Sequence, residues 1–132
     1  PGRVPRGELT IPIHAVDWMP TVCELAEADV SGDLQWDGRS VWPILQDPRA
    51  DFSERTLYSA GPRFRARVVR RRTWKLVVTA TADGGEKTEL YDLEADIGES
   101  QNLAGDRPEV LAEMRRHLAE ETARDNDARP TD

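Results

Sequence analysis

The sequence is short of several residue types, and each shortage excludes a class of protein. A single cysteine, Cys23, stands among the 132 residues, so neither an intrachain disulfide nor a zinc site built from several cysteines can form. No run of about 18 apolar residues occurs, so no transmembrane helix is expected. The two histidines, His14 and His117, are far apart and lack the His-x-x-x-His spacing of a helical metal pair.

Basic residues are also in the minority. The 18 lysines and arginines are outnumbered by 25 aspartates and glutamates, which leaves a net charge of −7. This balance argues against nucleic acid as the main partner, because phosphate binding needs a basic surface. The basic residues are nevertheless concentrated, since residues 63–75 read RFRARVVRRRTWK and contain no acid.

The residues that are present indicate one small globular domain with mixed secondary structure. Apolar residues at helical spacing predict a helix from Asp17, its cap, to about Ala28. A short helix is predicted after Ser40, its cap. Alternation of apolar and polar residues predicts strands at 56–60, 64–70, 73–79 and 88–93. In the third strand, Trp74, Leu76 and Val78 are expected to point inward.

The C-terminal region predicts one more helix, near residues 107–121. Asp106 and Glu109 have the spacing of a capping box, and the helix carries an apolar stripe that needs a partner surface. Residues 122–132 are polar and are predicted to be disordered.

An acidic stretch, ELYDLEADIGESQNLA at residues 89–104, is compatible with a calcium loop, a catalytic carboxylate pair or the polar end of a strand. An EF-hand loop starting at Asp92 would need glycine at its sixth position and glutamate at its twelfth, but those positions hold Ile97 and Leu103. A catalytic pair needs two acids that face each other across a cleft, whereas acids on a polar turn stay solvated. The pattern therefore favours a strand that ends in a solvated turn.

Three other residues with reactive side chains, Cys23, His14 and His117, have plain structural interpretations. Cys23 has Glu24 and Glu27 as neighbours, and an acidic setting favours a buried, inert thiol over a nucleophile. His14, beside an apolar run, is expected to be a hydrogen-bonded structural residue. His117, beside Arg115 and Arg116, is expected to lie on the surface.

The basic run at 63–75 keeps two interpretations open. The first is a hairpin whose outward arginines pair with the abundant carboxylates, as is common on a half-buried sheet. The second is an anion site for phosphate, sulfate or a polyanionic glycan, because guanidinium groups bind such oxyanions bidentately. The first interpretation is the simpler one.

Several motifs fall in an order that resembles the C-terminal portion of the formylglycine-dependent sulfatases, across residues 1 to 118. PGRV resembles the end of their W-P-G-x-[IV] segment, and HAVDWMPTVCELA resembles their D-[LW]-x-P-T helix. WDGRSVWPIL, RVVRRRTWKLV and ELYDLEADIGESQNLA resemble three later segments, and the IHAVDW and SVW variants look most like the arylsulfatase B branch. The signature residues, expected to be structural, are Asp17, Trp18, Pro20, Thr21, Asp37, Gly38, Arg70, Trp74, Lys75, Leu90, Tyr91, Asp92, Leu93, Asp96, Glu99, Asn102 and Leu103.

The chain departs from the family pattern at three turns. Ile97 stands where the family has proline, while Arg72 and Glu27 stand where it has glycine. The departure at Arg72 matters because a two-residue hairpin turn prefers a residue that tolerates positive φ. These departures affect the expected geometry of the turns more than family membership.

The resemblance implies a fold class and a layout. Residues 1–50 would be the tail of a large alkaline-phosphatase-like α/β domain, and residues 51–121 an α+β C-terminal subdomain. That subdomain would be a four-stranded antiparallel sheet packed by the final helix, followed by the polar tail 122–132. Trp18, Val22 and Leu25 would then cover a sheet of the large domain, and without it they would form an exposed apolar patch.

The resemblance also implies a function, but the residues that perform its chemistry are expected to lie outside the matched segments. The family hydrolyses sulfate esters with formylglycine, made from a C/S-x-P/A-x-R motif, and a divalent cation, usually calcium. All of these groups lie upstream of the matched segments, so the resemblance transfers no catalytic and no metal residue. This chain is therefore expected to be inactive alone and to have the missing catalytic domain as its partner. Nucleic acid and membrane are not expected partners.

A contribution to the substrate cleft is the remaining expectation. In the family the loop before the L-Y-D strand can border the cleft, which makes Lys87 a candidate for its rim, together with Arg65 and Arg67. The alternative is a stand-alone module that binds anions or sulfated glycans through the hairpin 63–75. Family members are often secreted, periplasmic or lysosomal, and the sequence does not indicate the compartment.

Overall fold

The computed structural model describes residues 4–9, 11–28, 36–50, 52 and 55–125. The chain divides into two compact units, Pro1–Glu54 and Arg55–Asp132, and the predicted boundary after residue 50 lies just before this division. The assignment of the two segments to domains of a larger enzyme stays a prediction. None of the helices in the described part is long and apolar enough to cross a membrane.

The first unit contains short helices. A 3-10 turn at Ala15–Asp17 leads into helix α1, Trp18–Leu25, and helix α2 spans Trp42–Gln46. Pro20 lies in the first turn of α1, as predicted, where its missing N–H costs no hydrogen bond. Val41, Ile44 and Phe52 form the buried cluster of this unit.

Helix α1 ends in a motif that explains the family's glycine preference. The N–H of Ala28 donates to the carbonyl of Cys23, and the N–H of Glu27 donates to the carbonyl of Glu24. These two bonds define a Schellman motif, which requires a left-handed residue after the helix. Glu27 adopts this conformation, with φ of 51°. The turn is therefore kept although the glycine is not.

The second unit is an antiparallel sheet covered on one face by a helix, which confirms the predicted fold class. The strands lie in the order β1-β2-β3-β4. Their bounds, with that of the helix, are β1 Thr56–Ala60, β2 Ala66–Arg71, β3 Trp74–Ala80, β4 Glu86–Asp92 and α3 Pro108–Arg124.

The core of this unit forms where the register aligns apolar residues across three strands. Val69 lies opposite Leu76, and Leu76 lies opposite Leu90. All three side chains are fully buried, and Met114 and Leu118 of α3 pack on them. Leu76 and Val78 point inward as predicted, and Trp74 packs at the edge of the same cluster.

Element ends differ from the sequence predictions in several places. Strand β2 begins at Ala66 because Phe64 and Arg65 belong to a turn with left-handed backbone at Arg63 and Phe64. The short helix α2 has Val41 as its N-cap, although the Ser40 hydroxyl still accepts from the N–H of Trp42.

Helix α3 differs at both ends. Arg107 is its N-cap, and no side chain caps it, so the predicted Asp106–Glu109 capping box is wrong. The helix continues to Arg124, so residues 122–124 are helical and only 126–132 of the predicted disordered tail lie outside the described residues.

Candidate functional site

Two regions hold the signature residues, and the first lies within the first unit. The Asp17 carboxylate accepts from the N–H of His14 at 2.7 Å and from the N–H of Arg39 at 3.1 Å. The predicted role of this carboxylate as a cap of α1 is therefore wrong, because α1 has no side-chain cap. Asp17 instead joins the helix entry to a segment 22 residues later in the chain.

Thr21 and Gly38 complete this connection. The Thr21 hydroxyl donates to the carbonyl of Asp17 at 2.6 Å and accepts from the N–H of Val41 at 2.9 Å. A Cβ at Gly38 would lie only 2.1 Å from the carbonyl oxygen of Val16, so the two backbones approach too closely for any side chain. Asp37 is exposed in the bend just before. Asp17, Thr21 and Gly38 therefore have structural roles in this connection.

Helix α1 presents an apolar face to solvent. Trp18 is 59% exposed, Met19 57%, Val22 53% and Leu25 41%. This exposure agrees with the apolar patch predicted for Trp18, Val22 and Leu25, whereas the partner surface itself stays a prediction. Cys23, expected to be buried, is instead half-buried.

The second signature region is the turn after β4. The Asp96 carboxylate accepts from the N–H groups of Ser100 and Gln101, at 2.7 and 2.9 Å. These bonds hold the pKa of Asp96 below its usual value, with the Gln101 N–H as the largest cause. The Asp96 carboxylate is thus bound by backbone N–H groups of the turn after β4, which agrees with the prediction of a polar turn.

Glu99 and Asn102 attach this turn to the sheet. Glu99 pairs with Lys75 at 2.6 Å. The Asn102 amide accepts from the N–H of Leu90 and donates to the carbonyl of Thr88, at 2.9 and 3.1 Å. Leu103 adds a backbone bond to the carbonyl of Leu90. Asn102 and Leu103 therefore satisfy part of the outer edge of β4, which would otherwise offer unpaired groups to another chain.

The remaining signature residues are part of the same sheet. Tyr91 is buried, and its hydroxyl donates to Glu89 at 2.9 Å, which raises the pKa of Tyr91. Asp92 accepts from the N–H of Glu94, and the N–H of Leu93 donates to the carbonyl of Thr73. Arg70 lies on the face opposite to α3, and its Nε is buried with no hydrogen-bond partner in the described part of the chain.

The three predicted rim residues, Arg65, Arg67 and Lys87, lie at one end of the sheet, called here the loop end. It is formed by the connections 61–65 and 81–85. The N–H of Ala80, just before the second connection, donates to the carbonyl of Arg65 in the first at 2.7 Å. Arg67 pairs with Glu86 at 2.5 Å, and Lys87 pairs with Glu89 at 2.8 Å.

Sequence reasoning missed two residues that contribute to this unit. Arg115 of α3 reaches the loop end, where it donates to the Thr88 hydroxyl at 2.7 Å. His117, predicted to lie on the surface, is only 7% exposed. The available signal was its spacing, because His117 and Leu118 follow Met114 by three and four residues and so share its buried helical face.

Comparison with known proteins identifies relatives for most of the chain. It is 30% identical over 109 residues to an uncharacterized sulfatase of Schizosaccharomyces pombe, which covers 77% of this chain and 20% of that protein. It is 40% identical over 43 residues to mouse arylsulfatase J, covering 30% of this chain and 7% of that protein. No family model matches the sequence.

The fold has a solved counterpart as well. The structure of BT4656 in complex with its substrate D-glucosamine-2-N,6-O-disulfate superposes with a TM-score of 0.69 and 26% identity, covering 84% of this chain and 24% of that one. The chain thus spans about a fifth of the yeast relative and about a quarter of BT4656. The arylsulfatase B branch stays a prediction. From its motifs, its sheet-and-helix fold and these relatives, we conclude that the chain belongs to the sulfatase family and matches the C-terminal portion of its members.

Proposed function

We propose that this chain is the C-terminal part of an enzyme that hydrolyses sulfate esters, and that it stabilises the enzyme and borders its substrate cleft. The carrying observation is the match to a sulfatase over 77% of this chain but only 20% of the relative. The family relationship supplies the reaction class. The stabilising and cleft-bordering roles are inferences from surfaces of this chain.

One surface supports docking on a larger partner. The apolar face of α1, with Trp18 and Val22 more than half exposed, would gain about 25 cal/mol for each Å² of apolar area that a partner covers. A catalytic domain that covers α1 would remove this exposure.

The catalytic groups of the family do not fit residues of this chain. Among the described residues, no cluster of three or more His, Cys, Asp or Glu side chains is arranged to hold a metal ion. Cys23 is followed by Glu24, Leu25 and Ala26, which is not the formylglycine motif. We therefore propose that formylglycine and the divalent cation are held by the rest of the enzyme.

A sulfated saccharide is the substrate class we favour. The solved counterpart BT4656 is described with a disulfated glucosamine as its substrate. This chain offers exposed cations at the loop end of its sheet, where Arg65 and Lys87 are exposed. Guanidinium and ammonium groups bind sulfate oxygens through charge-assisted hydrogen bonds, so this end is suited to border a cleft for sulfated sugars.

The alternative is a stand-alone hairpin at 63–75 that binds anions. The ion pairs within the structure reduce the number of cations that are available for such binding. Lys75 is occupied by Glu99, and Arg67 is occupied by Glu86. Arg71 donates to the Thr56 hydroxyl at 3.4 Å. The charges of Arg67 and Lys75 are therefore already paired with carboxylates, and we place anion binding on the turn that precedes β2.

The coding sequence on the 5′ side of Pro1 tests the proposal directly. We expect it to encode a C/S-x-P/A-x-R motif in frame with this chain, and an unrelated domain there would refute the proposal. The matching activity test is hydrolysis of p-nitrophenyl sulfate by this chain with added calcium. No turnover is expected, and turnover lost on substitution of a residue of this chain would show that the chemistry lies here instead.

A further inference from the structure

The connection between β1 and β2 presents two arginines that have no acidic partner among the described residues. It runs from Gly61 to Arg65, and both Arg63 and Arg65 are exposed. The two turn arginines differ in this respect from the other cations of the loop end, because Arg67 and Lys87 are each paired with a glutamate.

Two acids of strand β4, Glu86 and Glu89, are already engaged. Glu86 pairs with Arg67 and lies 4.0 Å from Arg115. Glu89 is held by Lys87 and by the Tyr91 hydroxyl, which together keep its pKa below the usual value. Because these acids already have partners, the charge of the two turn arginines is left uncompensated, although the chain as a whole is acidic.

Asp83, in the adjacent connection 81–85, is also occupied within its own turn. It accepts from the Thr81 hydroxyl and from the N–H of Gly85. The Thr81 bond is the largest cause of a pKa below the usual value. Asp83 is therefore an anion that is satisfied locally, and the neighbouring loop offers no carboxylate that remains unbound.

The turn itself has an unusual backbone. Arg63 and Phe64 have φ of 55° and 53°, and a left-handed residue other than glycine costs roughly 1–2 kcal/mol. Hydrogen bonds hold this conformation, from the N–H of Gly61 to the carbonyl of Ala66 at 2.8 Å and from the N–H of Phe64 to the carbonyl of Gly61 at 3.0 Å. These bonds fix the backbone of the turn that carries both arginines.

We propose that the turn Gly61–Arg65 is an anion-binding subsite, in which Arg63 and Arg65 hold a sulfate group of a saccharide other than the one that is hydrolysed. The ligand class is a saccharide with two or more sulfates, because two guanidinium groups two residues apart can each donate bidentately to sulfate oxygens. The saccharide identity rests on the proposed function, whereas binding by the turn is measurable on this chain alone.

The test is calorimetric titration of this chain with a fully sulfated heparin-type hexasaccharide, at low and at physiological salt. Loss of the charge-assisted hydrogen bonds in Arg63→Gln/Arg65→Gln should weaken the Kd about tenfold or more. The matched control, Arg107→Gln/Arg124→Gln, removes the same charge from two exposed positions outside this turn. It should change the Kd less than about threefold, because it leaves both guanidinium groups of the turn in place and removes only charge that salt screens.

Two further measurements distinguish recognition of a sulfate group from a purely structural role of the turn. Inorganic sulfate should compete weakly if a sulfate group is what the turn recognises, and the unsulfated hexasaccharide should not bind. Arg63→Gly should raise the unfolding free energy by relieving the left-handed strain, yet weaken binding, a pair of changes that a purely structural turn would not give.

Equal weakening by the turn pair and the control pair would overturn the subsite in favour of general electrostatic attraction. Absence of binding at low salt would overturn it as well. Either result would leave the upstream formylglycine motif as an independent test, so failure of the subsite can be told apart from failure of the proposed sulfatase function. Circular dichroism of each variant confirms that the fold is kept.

Discussion

The two units differ in how far their apolar side chains are buried. Residues 55–125 enclose Val69, Leu76 and Leu90 between a sheet and α3, with exposures of zero. The first unit buries Val41 and Ile44 but leaves Trp18 59% exposed on α1. The second unit therefore contains its own core, whereas α1 of the first unit exposes the apolar face that we propose a catalytic domain would cover.

The largest contrast is expected between core and surface truncations. Leu76→Ala should lower the unfolding free energy of the second unit by about 2–5 kcal/mol, because it removes a fully buried side chain and leaves a cavity. Val22→Ala should change it by less than about 0.5 kcal/mol, since Val22 already faces solvent. Urea titration followed by circular dichroism measures both variants. Equal losses would mean that α1 is packed on something within this chain.

The next effect concerns the buried carboxylate of the first unit. Asp17→Ala removes the acceptor of two backbone N–H groups, from His14 and Arg39, and should cost about 2–3 kcal/mol locally. Hydrogen exchange should report faster exchange of the Arg39 and Val41 amides. Asp17→Asn keeps one oxygen acceptor and should show a smaller change, and unchanged exchange in Asp17→Ala would contradict the proposed connection.

A smaller effect is expected where the C-terminal segment closes the sheet edge. Asn102→Ala removes three hydrogen bonds, to Leu90, Thr88 and Ala104, and should lower stability by about 1–2 kcal/mol. Gln101→Ala is the neighbouring control, because only the backbone of Gln101 is engaged. The idea fails if the two variants melt at the same temperature.

The smallest effect is a pH dependence at Asp96. Its pKa in the folded protein lies below the usual value of an aspartate, mainly because the N–H of Gln101 donates to its carboxylate, so the native state binds its proton less tightly than the unfolded chain does. Asp96 therefore contributes stability above the pKa that it has in the unfolded chain, and this contribution is lost as the pH falls through the lowered pKa of the folded state. Asp96→Asn should show a shallower loss of stability between pH 6 and pH 3 than the wild type or Asp106→Asn. Parallel curves would contradict this role.

The sequence predicted the sheet well because alternation records which face of a strand is buried. Register follows from this pattern, and Leu76 opposite Leu90 is the consequence. The sequence predicts the start of β2 two residues too early. Left-handed backbone is usually signalled by glycine, and residues 62–65 contain none, so the turn at Arg63 and Phe64 could not be predicted. Arg72, with φ of 52°, fills a glycine position of the family in the same way.

The site was less accessible to sequence reasoning because its contacts are distant along the chain. Asp17 has the local pattern of a helix cap, and only the folded chain shows that its partner is the N–H of Arg39. Asn102 likewise bonds to a strand 12 residues earlier. The exposed face of α1 was expected because the family resemblance supplied the missing surface, which the residues of this chain alone do not describe.

Hydrogen exchange of this chain, read by mass spectrometry, tests most directly whether the two units differ as described. The strands β2 and β3 should be strongly protected, since their amides open only with the core of the second unit. Helix α1 should exchange much faster, or become protected only as the chain associates at higher concentration. Protection of α1 equal to that of β3 in a dilute, monomeric sample would contradict the account.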